Sequence, residues 1–114
     1  MAFDVDFESA IIDLPDPALT RRAVTALAGT YVSGRIGRRL PRVFREAGFA
    51  DIEVTPHVID DLPAEVLFGG VLAGVNAETV GEEDAQRFHA GLREAHADGR
   101  LFFAITGFVV SGRA

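Results

Sequence analysis

The stretch Leu101-Phe-Phe-Ala-Ile-Thr-Gly-Phe-Val-Val110 constrains the fold more than any other part of the chain, because its apolar residues are consecutive rather than alternating. A strand with one wet face alternates, whereas a strand covered on both faces reads as an unbroken apolar run. Such a strand is central and needs a neighbour on each edge. The other well-marked strand is residues 51–59, where Ile52, Val54 and Val58 alternate with Glu53 and His57. Pro56 gives that strand an edge position or a bulge, because proline has no N–H for a ladder. A further strand is only hinted at, as a short piece at Phe3 to Phe7 or at Ser9 to Asp13. On this reading the chain owns too few strands to cover its best one, and an open two-stranded ribbon is marginal in water. An uncovered edge invites pairing with another chain, so association is expected, as a homodimer with swapped final strands or with a complementary chain.

Helices account for much of the remainder. Asp16-Pro17 is a helix start, since an aspartate accepts from free backbone N–H groups and a proline needs no donor there. Leu19, Ala23 and Leu27 then share a face and Gly29 can end it. A second helix follows Gly34, with Ile36, Leu40, Val43, Phe44 and Ala47 on one side, Pro41 in its first turn or at a kink, and Gly48 as its cap. Residues 63–75 read as one apolar helix weakened by Gly69, Gly70 and Gly74, and are expected to be mobile. From Thr79 or Gly81 a helix runs to Asp98, with Ala85, Phe88, Leu92 and Ala95 inward, acids in its first turn and Gly99 as its stop. The fold class is thus α/β, or α+β as an isolated piece: an antiparallel pair of strands, 51–59 and 101–111, packed with about four helices.

With 114 residues there is room for one domain spanning 1–114. A formal charge of −6 disfavours nucleic acid and anionic membranes, which are held by basic side chains. There is no cysteine, so neither a disulfide nor a thiolate enters the chemistry. The opening Met-Ala-Phe-Asp-Val-Asp lacks the basic and apolar regions of a signal peptide. The longest apolar run is too short to span a bilayer. A soluble, cytoplasmic protein is the expectation.

The residues able to do chemistry are few. All eleven basic residues are arginines, and Arg21, Arg22, Arg35, Arg38, Arg39, Arg42 and Arg45 fall in a stretch without an acid. They make either a solvated helical face or a fork-like site for a carboxylate or phosphate, with Arg35 and Arg38 at the helix entrance as the positions to test. His57, on the polar side of a strand, has the intrinsic pKa of a general base. His89 and His96 are seven apart on one helix, roughly 10 Å along its axis, too far to share a metal without other ligands. Asp4, Asp6 and Glu8 alternate and share a face if extended, but no second cluster completes a metal site. Tyr31, Phe68, Phe102, Phe103 and Phe108 either line an apolar pocket or fill the core.

The order of elements resembles the C-terminal, acceptor-side part of a class I S-adenosylmethionine-dependent methyltransferase of the ubiquinone/menaquinone-type group. Arg39-Leu-Pro-Arg-Val-Phe-Arg-Glu-Ala-Gly-Phe49, leading into Asp51-Ile-Glu-Val54, is similar to the last helix before that family's sixth strand. The run Phe102-Phe-Ala-Ile-Thr-Gly-Phe-Val-Val-Ser-Gly112 is similar to its terminal strand. Phe3-Asp-Val-Asp-Phe-Glu-Ser9 resembles the stretch just after the fifth strand, and Asp13-Leu-Pro-Asp-Pro-Ala-Leu-Thr20 the helix start that follows.

The resemblance implies the last third of a Rossmann-like methyltransferase, with 51–59 and 101–111 as the hairpin ending the sheet and the final strand lying against a fifth strand the chain lacks. It implies that residues 60–80 form a helical excursion over a substrate pocket, with Tyr31, Arg35, Arg38, Phe68 and Phe108 as candidate substrate-binding residues. Nothing corresponds to the Gly-rich cofactor turn, and Gly34 to Gly37 and Gly69 to Gly74 lack a preceding buried strand. The expectation is therefore a methyltransferase-like fragment or subunit that binds no cofactor by itself and meets S-adenosylmethionine only with a complementary N-terminal half. A homodimeric, non-catalytic module binding a small apolar ligand is the second reading, and a small cyclase or isomerase using His57 the third.

Overall fold

A computed structural model describes residues 1–31 and 33–114. It is α+β: a three-stranded antiparallel sheet with five helices, against the two strands and about four helices expected. The strands are β1 (Ala2–Ile12), β2 (Ala50–Ile59) and β3 (Phe103–Arg113). Their order is β1-β3-β2, so the unbroken apolar run is the middle strand, as its sequence requires.

The expectation that the chain lacks a second neighbour for this strand is corrected. The short piece expected at Phe3 to Phe7 or at Ser9 to Asp13 is instead one longer strand, β1, which takes in both places as far as Ile12 and pairs with β3 from Ala2 opposite Val110 to Ile12 opposite Phe103. What divides them is a register shift between Asp6 and Ile11. Within it, the Ser9 hydroxyl accepts from the Thr106 N–H at 2.9 Å and donates to the Asp6 carbonyl at 2.6 Å, so a side chain bridges the interrupted ladder. Since both edges of β3 are paired, the uncovered-edge motive for a swapped dimer is removed.

β2 is an edge strand, as Pro56 requires, with Pro56 opposite Phe108. Helices lie on both sides of the sheet. On one side α1 (Pro17–Thr30) and α5 (Glu82–Ala97) bury Leu19, Leu27, Phe88 and Leu92 against Phe103 and Ile105. Asp16 caps α1 by accepting from the Leu19 N–H at 3.1 Å. On the other side α2 (Ile36–Glu46) crosses the sheet, with Leu40 buried and Gly37 against the backbone of β1. Pro41 lies in the second turn of α2 rather than in its first.

The single helix expected over 63–75 is instead α3 (Ala64–Gly69), a 3₁₀ turn (Val71–Gly74) and, beyond it, α4 (Ala77–Val80). Gly70 marks the break. A Cβ there would stand 2.8 Å from the Val66 carbonyl, so only glycine fits this approach. Leu67, Leu72 and Val75 of this segment are all buried.

Candidate functional site

The arginines and acids singled out in the sequence meet where α2 crosses β1. The alternation of Asp4, Asp6 and Glu8 along an extended strand leaves Asp6 almost wholly buried, under the start of α2. The turn between α1 and α2 returns the chain to β1, where the Phe7 N–H donates to the Gly34 carbonyl at 2.8 Å. Arg38 donates through Nε to Asp6 Oδ2, and Arg35 through Nε to Glu8 Oε2. Asp6 Oδ1 also accepts from the Glu8 N–H at 3.0 Å. The Asp6 hydrogen bond raises the pKa of Arg38 above its ordinary value, burial opposing the shift. Tyr31 closes the cluster by stacking on Phe7, ring centroids 4.0 Å apart and 13° from parallel.

The candidate substrate residues thus divide. Tyr31, Arg35 and Arg38 gather about the middle of β1, where the acids of the same strand occupy both guanidinium groups. Arg22 is likewise paired, with Asp84, and Arg42 faces Glu46. Three of the seven arginines of the run, Arg22, Arg35 and Arg38, are therefore paired across elements distant in sequence, while Arg42 pairs within its own helix and Arg21, Arg39 and Arg45 make no ion pair among the described residues. Phe68 lies on α3, edge-on to the His96 ring at 5.3 Å. Phe108 is on the α2 side of β3, opposite Asp4 and Pro56. His57, one residue along β2 from Pro56, is on the other side of the sheet, exposed and edge-on to Phe3 at 6.4 Å. The five residues and His57 do not converge on one site.

His89 meets the Val75 carbonyl through Nε2 at 2.6 Å, which ties α5 to the end of the 3₁₀ turn. Among the described residues no group of three His, Asp or Glu side chains is placed to hold a metal ion. Nor is any helix long and apolar enough to cross a membrane.

Two open grooves flank α1. One of about 650 Å³ lies between α1 and α4, lined by Arg21, Arg22, Thr25 and Val80. The other, about 470 Å³, follows the second half of β1, lined by Ile11, Leu14, Pro17, Arg21 and Val24. Arg21 stands on the rib between them and makes no ion pair among the described residues. Sequence reasoning missed both the role of Asp6 and Glu8 as arginine partners and the groove along β1. The alternation of acids was visible; its pairing depends on how α2 returns to β1. The arrangement offers two open, largely apolar grooves and a charge cluster whose carboxylates and guanidinium groups are already paired.

Comparison with known proteins finds no family model and no curated sequence that matches this chain.

Proposed function

We propose that this chain is a methyltransferase-like, acceptor-side unit that contributes binding surface and assembly, and that methyl transfer requires a complementary half carrying the cofactor loop. The observation that carries the reading is the strand order. The last strand in sequence lies in the middle, antiparallel to β2 on one side and to β1 on the other. The resemblance calls for this arrangement, a terminal hairpin whose final strand also lies against an earlier strand; β1 takes the place of the strand that was expected to be missing. The groove along β1 and α1, mostly apolar with Arg21, two threonines and the acids Glu8 and Asp13 in its lining, is the surface such a unit offers to an acceptor or to its complementary half.

Calorimetric titration of the lone chain with S-adenosylmethionine is expected to give no binding heat. Binding that appears only after a complementary strand-turn-helix half is added supports the reading. Saturable binding by the lone chain defeats the claim that the cofactor site lies elsewhere.

A homodimeric assembly module, without catalysis, is the second reading. It is favoured by how much of the sheet stays uncovered: β2 is exposed at eight of its ten residues.

A further inference from the structure

The helices on the α1 side cover only part of the sheet. Phe103, Ile105 and Ile59 lie beneath α1 and α5, but the same face continues past them to Phe3, Thr55, His57 and Val109. The register places these side by side: Phe3 opposite Val109, Thr55 opposite Val109 from the other edge, and His57 opposite Gly107. Gly107 is a seat for Phe3. A Cβ there would stand 2.5 Å from the Phe3 ring, so the ring reaches over the middle strand while remaining 49% exposed.

We propose that this half of the sheet is the contact face of a homodimer, two copies stacking their sheets face to face about a twofold axis. The inference deepens the associating role in the reading above and rests on it.

Three observations commit the face to a second copy. The first is area. A folded monomer of 12.2 kDa exposes about 6,100 Å². This chain exposes 6788 Å², an excess of about 700 Å², close to the roughly 800 Å² each partner gives to a standard interface. Its Cα radius of gyration of 16.0 Å is likewise above the ~13 Å of a compact chain of this length.

The second is charge. The chain carries −6 overall and would repel its own copy across most surfaces. Phe3, Thr55, His57 and Val109 include no acid; Glu53, opposite Ser111 and two residues along β2 from Thr55, is the acid that the same face carries beyond them. Depletion of charge around an aromatic residue is the composition of an interface centre.

The third is that each edge has a ladder donor missing or taken. Pro56 has no N–H to offer from β2, and on β1 the Phe7 N–H is already taken by Gly34. A copy therefore meets the face, at the ~10 Å separation of stacked sheets, rather than extending the ladder.

Sedimentation equilibrium of the whole chain at micromolar concentrations is expected to give twice the monomer mass. Phe3→Asp should raise the dimer dissociation constant at least about tenfold with an unchanged circular dichroism spectrum. Val58→Asp, on the opposite face and 67% exposed, should leave it unaltered. If Phe3→Asp unfolds the chain, Thr55→Arg on exposed β2 takes its place. A wild-type monomer at these concentrations overturns the inference, as does dissociation by Val58→Asp equal to that by Phe3→Asp. So does a mixed assembly that forms with another protein while the chain alone stays monomeric. None of these results bears on cofactor binding with a complementary half, so failure here and failure of the methyltransferase-like reading are told apart.

Discussion

Arg38 reaches from the first turn of α2 to the carboxylate of Asp6, a side chain only 3% exposed, while its own remains 49% exposed. The pair is one-sided: the acid is in the protein and the base is half in water. Removing the base therefore costs more than a surface ion pair is worth, because it leaves a buried carboxylate with only the Glu8 N–H. Arg38→Ala is expected to lower stability by about 2 kcal/mol in urea unfolding, below the full cost of a wholly buried pair because water can reach the site. Asp6→Asn combined with Arg38→Ala should lose less than the two single changes added together. An Arg38→Ala protein as stable as the wild type would show that solvent already serves Asp6.

Asp16 supplies the pH dependence. Its pKa is held below the ordinary 3.8 first by the Leu19 N–H and then, against some desolvation, by the Arg87 guanidinium. A folded-state value below the unfolded one contributes stability that is fully present above 3.8 and is lost as pH falls through the folded value. The effect is therefore confined to the acid limb. Asp16→Asn, which keeps an oxygen to cap α1 but cannot titrate, should be less stable than wild type at neutral pH and lose less on acidification. Parallel urea midpoints for the two proteins from neutral pH down to pH 3 would place the acid sensitivity on another group.

Leu72 tests whether the segment between β2 and α5 is a cover or a part of the core. It is fully buried in the 3₁₀ turn, beside Val75 and Leu67. Leu72→Ala is expected to cost about 3 kcal/mol, the usual loss for a leucine whose cavity cannot collapse. A flap over a substrate pocket would lose well under 1 kcal/mol, and a change that small would restore the mobile reading of residues 63–75.

The parts of the fold legible in the sequence were those whose causes are local. Asp16-Pro17 starts α1, the acids from Glu82 to Asp84 open α5, and the unbroken apolar run is the middle strand. What escaped depends on contacts across long separations. β1 reads as two weak pieces because the register shift between Asp6 and Ile11 breaks its alternation, and the Ser9 hydroxyl that bridges the break is bonded to Thr106, 97 residues away. The glycines at 69, 70 and 74 argued for looseness, whereas Leu67 before them, Leu72 among them and Val75 after them are buried. At the candidate site the residue types were visible, but Arg35 and Arg38 could be assigned to Glu8 and Asp6 only once α2 was known to lie on β1. His57 drew attention through its intrinsic pKa, and on its exposed edge strand it makes no hydrogen bond or ion pair among the described residues.

Two glycine substitutions of the same kind should move stability in opposite directions. Gly29 is near the end of α1 with open space where a Cβ would go, so Gly29→Ala gains helix propensity at no steric cost, up to about 1 kcal/mol. Gly37 is equally helical, in the first turn of α2, but its Cβ would stand 2.8 Å from both the Val5 carbonyl carbon and the Asp6 nitrogen. Those atoms belong to a strand paired into the sheet and cannot retreat, so the helix must lift away. Lifting α2 also loosens Arg38 on Asp6 and Arg35 on Glu8, which adds to the usual overpacking cost of ~1–3 kcal/mol. Gly37→Ala is therefore expected to be destabilising by about 2 kcal/mol in spite of its propensity gain. Thermal melts of the two variants beside wild type decide it: stabilisation by both would mean that propensity alone governs these helices and that α2 does not press on β1.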